Sequence, residues 1–274
     1  MQSDKFIACS LTTRVSKRYS IFDLADVVHP LNLPISPDSI IVNPIRREII
    51  ATQTGQKLQI YNTESGQYVK EHSHHDSILF WKWIDVKTIA IITQNTAVFH
   101  WNSDDDGEPL MIFSVEQKIR ERCRIVDYRA DSDQKMFVVV AESKSSRESS
   151  RIQFFDTENG LSQVIEGNAA CFARIRQENN ADLSTVLLYS SMNSRGRNSV
   201  YCVGRFHNTI YTNLSRFPYS MECGHDTHIF MHASLKQGLL FILTKFGYIR
   251  IFDIETRSEV YNARIMDDTI CLTT

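Results

Sequence analysis

Short apolar runs separated by polar turns dominate the hydrophobic pattern of the chain. The runs are rich in Ile, Val, Phe, Tyr and Thr, and their lengths are typical of β-strands. They include EIIATQTGQKLQIYN, TIAIITQNTAVFHW, QKMFVVVAES, RIQFFD, TVLLYSS, SVYCVGRF and GLLFILTKFGYIRIF. No long stretch combines a clean helical period with a helix cap. The best helical candidate is VEQKIRERC at 115–123, and the alternative for this segment is a loop. The pattern predicts an all-β fold.

One phrase recurs along the chain: two or three apolar or aromatic residues, then Asp or Asn, then a polar turn. It ends at Asp23, Asn62, Asn102, Asp156 and Asp253, with spacings of 39, 40, 54 and 97 residues. A degenerate copy, SVYCVGRFHN, lies within the longest gap. A unit of roughly 40 to 50 residues is typical of β-propeller blades, and the regular spacing disfavours chance hairpins in a β-sandwich. The Asp or Asn can close an Asx-turn by accepting a backbone N–H two residues on, while the preceding aromatic ring packs between sheets.

Composition restricts the class of protein. Of the 274 residues, 42% are hydrophobic and 23% charged, which is typical of a soluble globular protein, and all-β chains of this length are often single domains. A net charge of −2 disfavours nucleic acid as the main partner. The six cysteines form no CxxC and are predicted to be reduced, mostly buried thiols of a cytosolic protein. No signal peptide is visible, and Lys245 and Arg250 interrupt the longest apolar run, which is too short to span a bilayer.

Two polar clusters could carry chemistry, but both have simpler interpretations. HSHHD, residues 72–76, offers imidazole and carboxylate ligands for zinc, yet its spacing matches no standard closed site, and a solvated loop between blades is favoured. DDDGE at 104–108 lacks the full calcium-loop pattern and is predicted to be a charged hairpin tip. No GxSxG, HExxH, P-loop or GxGxxG motif occurs, so no enzyme activity, cofactor or metal is predicted.

Several longer segments are more specific than the repeat. They are SILFWKWID at 77–85, VIEGNAACFARI at 164–175, LTKFGYIRIFDIET at 243–256, and the opening MQSDKFIA followed by LPISPDSIIVNP at 33–44. In this order they resemble the N-terminal propeller of the clathrin heavy chain family, over essentially the whole chain. The resemblance implies a seven-bladed, WD-repeat-like β-propeller that forms one domain over residues 1–274, and six markers plus one incomplete unit fit seven blades.

Relative to that family, the chain starts inside the first blade and ends before the helical linker and the α-solenoid leg. In the family the leg makes the trimer and the lattice, so trimerisation and clathrin light chain binding are not expected of this chain. The propeller is expected to be incomplete at its first or last blade, and an exposed sheet edge would lower stability or promote aggregation. A fragment, a divergent paralogue and an incompletely predicted product all fit these ends.

The resemblance also implies a docking platform for the disordered tails of coat adaptors. Their short apolar–acidic motifs lie extended in a groove between the first two blades, which supplies apolar pockets, polar groups for the peptide backbone and positive charge. The residues that match this groove are Leu31, Ile35, Ile50, Lys57, Gln59 and Tyr61. The amide of Gln59 can pair with peptide backbone, and the ring of Tyr61 offers a flat apolar wall. Lys57 can supply positive charge, as can Lys70, which follows the hairpin. Taken singly, the aliphatic residues are better explained by core packing. The glutamine is then a solvated strand residue, and the tyrosine packs between blades.

The basic part of the groove is altered. Leu33 stands where the family has an arginine, and Gly66 and Tyr68 stand where it has lysines. Selection for the acidic end of a peptide is therefore expected to be weaker, with apolar recognition retained, since exposed ion pairs contribute about 0–1 kcal/mol each. At a second family groove, Met192 replaces an arginine and the arginines of the following RGR are displaced, which argues against that groove.

The predicted function is that of a non-catalytic coat-protein propeller. It docks adaptor and accessory proteins at the cytosolic face of coated pits and coated vesicles, with peripheral membrane association through those adaptors. A scaffold that keeps the propeller but has lost coat function is the alternative. A propeller hydrolase is less favoured, because the inner-strand candidates LFWKWI, CFARI and IFMHASL are apolar and basic rather than acidic.

Overall fold

The computed structural model describes residues 5–13, 17–95, 97–145, 148–176, 183–193, 198–204, 210–211 and 226–266. In this part of the chain nearly all regular structure is antiparallel β-sheet, as the apolar pattern predicts. The chain divides into two compact units, Met1–Val115 and Glu116–Thr274, each described by itself. None of the described residues belongs to a helix long and apolar enough to cross a membrane.

The first unit contains three sheets, each built from strands that are consecutive in the chain. The first sheet consists of β1 (Phe6–Thr12), β2 (Lys17–Asp23) and β3 (Asp26–Asn32). The second consists of β4 (Ser39–Val42), β5 (Ile49–Thr54), β6 (Lys57–Asn62) and β7 (Gln67–Ser73). The third consists of β8 (Ile78–Trp83), β9 (Thr88–Thr93), β10 (Ala97–Asn102) and β11 (Leu110–Ser114).

The second unit begins with a helix and continues with three four-stranded sheets. The predicted helix is confirmed as α1 (Gln117–Arg122), held by the fully buried Ile119. The fourth sheet consists of β12 (Cys123–Ala130), β13 (Met136–Ser143), β14 (Arg151–Asp156) and β15 (Leu161–Glu166). The fifth consists of β16 (Ala169–Arg176), β17 (Leu183–Met192), β18 (Asn198–Gly204) and β19 (Ile210–Tyr211). The sixth consists of β20 (His228–Ser234), β21 (Leu239–Thr244), β22 (Tyr248–Asp253) and β23 (Glu259–Arg264).

The recurring Asp and Asn residues each end a strand, and the predicted turns are confirmed. In every case the side-chain Oδ1 accepts a backbone N–H two residues on, except in the last copy, where the donor is three residues on. The N···O distances are 2.9 Å to Asp23, Asn62, Asn102 and Asp156, and 2.7 Å to Asp253. The corresponding end of the degenerate copy, at 205–208, lies outside the described residues.

The recurring Asp or Asn, here called the marker, also aligns the sheets with one another. In the second, third, fourth and sixth sheets it ends the third strand, whereas in the first sheet it ends β2, the middle strand. The three strands of the first sheet therefore correspond to the second, third and fourth strands of the others. The described residues form six sheets, so a count of seven blades stays a prediction, as does the single domain over 1–274.

The apolar runs are continuous because inner strands are packed on both faces. On β5, Ile49 and Ala51 pack with the third sheet, whereas Ile50 between them packs with the first sheet. On β17, Leu187 packs with the fourth sheet and Leu188 with the sixth. Side chains alternate between the faces of a strand, so a strand that is buried on both sides is apolar at every position.

The cysteines follow the prediction where they are described. Cys123, Cys171 and Cys202 are buried free thiols, and Cys9 is a free thiol exposed on β1. Burial raises the pKa of Cys171 and of Cys202 to about 12, so both stay protonated at neutral pH. The remaining two, Cys223 and Cys271, lie outside the described residues.

Candidate functional site

The facing surfaces of the first and second sheets share one apolar cluster, here called the groove cluster. Four of the six residues that the sequence singled out belong to it. Its buried members are Tyr19, Ile21, Leu33, Ile50 and Tyr61, and Leu31, Ile35, Phe6, Ile40 and Val42 pack against them half-buried.

Strand alternation explains how the second sheet contributes its part. Ile50 on β5 pairs directly with Tyr61 on β6, so both side chains point toward the first sheet. Gln59 precedes Tyr61 by two residues on β6, and Lys57 precedes Gln59 by two. The side chains of all three therefore lie on the same face of the strand. The predicted residues of the second sheet thus lie on one face of that sheet, with Lys57, Gln59 and Tyr61 in a row along β6.

The first sheet contributes the opposite wall. Leu31 lies on β3 opposite Ile21 of β2, and Ile35 follows in the segment that leads to the second sheet. The backbone N–H of Leu33 donates to the carbonyl oxygen of Tyr19 at 2.9 Å, which ties this segment to β2. Four of the six predicted residues are therefore brought together between the two sheets, whereas Lys57 and Gln59 contact Glu71 of their own sheet.

Exposure differs strongly among them. Ile50 is 0% exposed and Tyr61 is 3% exposed, so these two are core residues of the groove cluster. Leu31 and Ile35 are half-buried and are the apolar members that a ligand would touch first. Edge-on against the Tyr61 ring lies Tyr68, with ring centroids 5.1 Å apart, and it is 44% exposed. Sequence reasoning treated Tyr68 only as a lost lysine, although its position in the hairpin opposite Tyr61 could have indicated this contact.

The polar end of the row is already occupied by an acid of the same sheet. The Lys57 ammonium lies 2.7 Å from Oε2 of Glu71 on β7, and the Gln59 amide donates to the same oxygen at 3.0 Å. These contacts, with Lys57 the larger effect and Gln59 the second, lower the pKa of Glu71. Sequence reasoning missed Glu71, although the register of the β6–β7 hairpin places it directly opposite Gln59.

Lys70 does not contribute to this face, and the expectation that it would do so is wrong. Its neighbour in the hairpin register is Ile60, which packs toward the third sheet. The ammonium donates to the carbonyl oxygens of Asn102 and Asp105, at 2.7 and 2.6 Å, and lies 5.0 Å from the Trp101 ring centre. Only 13% of the side chain is exposed. Lys70 therefore fixes the loop after β10 instead of facing the groove.

Two of the three altered basic positions have a structural reason to be non-basic, and the third makes an aromatic contact. Leu33 is buried in the groove cluster, where a charged group would be costly. Gly66 has φ +68° in the β6–β7 turn, and its backbone N–H donates to the carbonyl oxygen of Asn62. A side chain is strained in that left-handed conformation. Tyr68 covers the edge of Tyr61.

A further cation lies near the polar end of the groove. The Lys17 ammonium donates to the backbone carbonyl of Asp38 and lies 5.1 Å from the Tyr19 ring centre. The Tyr19 hydroxyl donates to the same carbonyl at 2.8 Å, and the Asp38 carboxylate accepts the backbone N–H of Gly55 at 2.7 Å. The connection between the first and second sheets is thereby tied to the β5–β6 turn.

The histidine cluster differs from its prediction. His72 lies on β7 and contacts the carboxylate of Glu108, and His74 is buried with its ring 4.5 Å from that of His72 and 5.5 Å from that of Phe99. The expectation of a solvated loop is therefore wrong for these two residues, while His75 is exposed. Burial lowers the pKa of His74 to about 4, and the neighbouring His72 acts in the same direction.

The other clusters carry no assembled site in the described part of the chain. No group of three or more His, Cys, Asp or Glu side chains among the described residues could hold a metal ion. Within DDDGE, Asp104 pairs with Arg46 at 2.8 Å, and Asp105 accepts the backbone N–H of Gly107 at 2.8 Å, as a charged hairpin tip does. At the second family groove Met192 ends β17 partly exposed, and the arginines at 195 and 197 lie outside the described residues.

Comparisons with known proteins identify the relatives of the chain. No family model matches it. Over all of its residues it is 36% identical to the probable clathrin heavy chain 1 of Caenorhabditis elegans and covers 16% of that protein. It is 32% identical to the clathrin heavy chain of Drosophila melanogaster and 31% identical to clathrin heavy chain 2 of Homo sapiens, covering 16% and 17% of them.

A solved structure supports the fold. Sqt1 of Chaetomium thermophilum, a propeller protein, matches with a TM-score of 0.60 at 10% identity, over 96% of this chain and 69% of its own. Together with the consecutive antiparallel sheets, this likeness places the fold in the β-propeller class. The chain spans about one sixth of the length of the curated relatives it matches. Over its whole length, the chain is therefore a homologue of the N-terminal region of the clathrin heavy chains.

Proposed function

We propose that this chain is a non-catalytic docking module of vesicle coats, which binds short apolar peptide segments of adaptor and accessory proteins. The peptide lies extended between the first and second sheets. The observation that carries the proposal is the convergence of Leu31, Ile35, Ile50 and Tyr61 in the groove cluster. The family relationship supports a coat role, and the docking residues follow from this convergence.

The groove has the composition that an extended peptide requires. Alternate side chains of such a peptide point the same way and need apolar pockets spaced along a strand. Half-buried Leu31 and Ile35 form one wall, and the exposed ring of Tyr68 lies on the side of the second sheet. Ile50 and Tyr61 support these contacts from below, so their effect on binding is through packing and shape.

Binding of a defined peptide tests this proposal. A fluorescent peptide with the core Leu-Ile-Asn-Leu-Asn is titrated against the chain and against Leu31→Ser and Ile35→Ser. Each variant removes apolar contact area worth about 1–2 kcal/mol, so we expect binding about ten-fold weaker. Leu79→Ser is the matched control, because Leu79 is an exposed leucine of β8 in the third sheet.

Two readouts make the result decisive. Denaturant unfolding of each variant shows that it remains folded at the assay temperature. If Leu31→Ser and Ile35→Ser bind the peptide as tightly as the Leu79→Ser control, the groove between these sheets is not the docking site.

The coat role is a second and separable claim. The proposed place of action is the cytosolic face of coated pits and coated vesicles, reached through adaptors. We expect a fluorescently tagged chain to colocalise with coated structures in cells, and the double variant Leu31→Ser, Ile35→Ser to lose that colocalisation. Peptide binding in vitro without colocalisation would favour a scaffold that has left the coat, which the altered positions 33, 66 and 68 also favour.

A further inference from the structure

The polar end of the groove holds as many carboxylates as cations. They are Lys17 at the start of β2, Asp38 in the segment between the first and second sheets, and Lys57 and Glu71 on the second sheet. The Lys57 charge is matched by the Glu71 carboxylate at 2.7 Å, and the Gln59 amide is held by that same carboxylate oxygen. The donors that would meet a peptide acid are thus engaged with an acid of the protein.

The strand register gives Glu71 this role. Gln59 and Glu71 are direct cross-strand partners, and Lys57 precedes Gln59 by two residues on the same face. Direct partners lie about 5 Å apart between Cβ atoms and diagonal neighbours about 7–8 Å, both within reach of long side chains. The side chain of Glu71 is 58% exposed and that of Lys57 is 40% exposed. A solvent-exposed pair is weak enough to open, so a ligand can approach but must compete with it.

Besides Lys57, this end has Lys17, whose ammonium donates to the backbone carbonyl of Asp38, while the positions that are basic in the family supply no cation here. Leu33 is buried, Gly66 has no side chain, and Tyr68 packs on Tyr61. Lys70 points to the third sheet. A peptide carboxylate that enters would lie next to the negative charge of Glu71. Repulsion between the two carboxylates would raise the free energy of the complex with an acidic-ended peptide.

We propose that Glu71 determines the charge specificity of this groove, which takes apolar peptide segments with a neutral or basic end and disfavours those with an acidic end. The inference rests on the proposed docking function and concerns only which peptides are accepted. Glu71 acts as an internal substitute for the acid of a ligand, because its carboxylate accepts from both Lys57 and Gln59.

Three peptides that differ at one residue test the inference. Their core is Leu-Ile-Asn-Leu-X, where X is Asp, Asn or Lys, and they are titrated against the wild-type chain and Glu71→Gln. The wild type should bind the Asn and Lys peptides about three-fold more tightly than the Asp peptide, a size typical of exposed charge pairs. Glu71→Gln should abolish or reverse this preference, because Lys57 is then free to meet the peptide acid.

Two further variants sharpen the test. Glu64→Gln removes an exposed carboxylate from the β6–β7 turn and changes net charge equally, so it should leave the preference unchanged. Lys57→Met leaves Glu71 without its cation and should make the rejection of the Asp peptide stronger. The preferences should shrink as salt rises, since these charges are exposed.

The outcomes separate the two claims. If the peptides bind but Glu71→Gln leaves their ranking unchanged, or if the wild type prefers the Asp peptide, the role of Glu71 is wrong and docking stands. If none of the three peptides binds to any variant, the docking function itself fails, and the role of Glu71 fails with it.

Discussion

At the residue scale, the marker Asp and Asn residues carry the repeat because each closes its own turn. The Asn62 side chain accepts from the N–H groups of Glu64 and Ser65, at 2.9 and 3.0 Å. Asn62→Ala removes both hydrogen bonds, and we expect a loss of about 1 kcal/mol in the free energy of unfolding. Asn62→Asp keeps the acceptor and should retain most of the stability. Urea unfolding of both variants decides the matter, and equal stabilities would show that the turn does not need the side chain.

A buried histidine gives a second prediction at this scale. His228 is fully buried, and burial, together with the nearby Arg250 charge, lowers its pKa to about 3. Below about pH 6.5 the unfolded chain binds a proton here that the folded chain does not, so this contribution destabilises the fold as pH falls through that value. Between pH 7 and 5 the loss should be about 2 kcal/mol.

The slope of stability against pH isolates this effect. His228→Gln removes the titrating group, so its unfolding free energy should fall less between pH 7 and 5 than that of the wild type, whatever its absolute stability. A wild-type slope in the variant would assign the pH dependence to other groups. NMR titration of the His228 ring in the wild type provides an independent measurement.

At the element scale, the β6–β7 hairpin shows why a lost lysine cannot simply be restored. Gly66 has φ +68°, and a Cβ built there would lie 3.8 Å from the Tyr61 hydroxyl, so the obstacle is backbone strain rather than lack of space. Gly66→Lys should cost about 1 kcal/mol of stability, and Gly66→Asn less, because Asn tolerates this region. Thermal unfolding of the pair tests this, and a Gly66→Lys variant as stable as the wild type would contradict it.

The same hairpin shows what sequence reasoning can and cannot reach. The strand ends and the turns were predictable, because Asn62 and its equivalents recur with the apolar run that precedes them. The contact of Glu71 with Lys57 was not predicted, because it depends on the register of β7, which skips Val69 at a bulge beside Tyr61. Lys70 was misplaced for the same reason: one residue of register decides which face a side chain occupies.

Burial separates the predicted site residues in a way that a pattern match cannot. Ile50 and Leu31 are equally apolar in sequence, yet one is fully buried and the other is half-buried in the groove cluster. The histidines at 72 and 74 were expected in solvent because polar runs are usually loops. The strand position of His72, and the aromatic neighbours that cover His74, come from long-range packing.

At the scale of the whole molecule, near-neutral charge predicts that apolar contact drives the proposed docking. The net charge is −2, and the groove end combines Lys17 and Lys57 with Asp38 and Glu71. Binding of the neutral-ended peptide should therefore change by less than about two-fold between low and high salt, since screening acts on net attraction. Its heat-capacity change should be negative, the signature of buried apolar surface. Calorimetry at several temperatures and salt concentrations measures both quantities. A ten-fold loss of affinity with salt would instead mean that charge attraction, and not apolar contact, drives binding of this peptide.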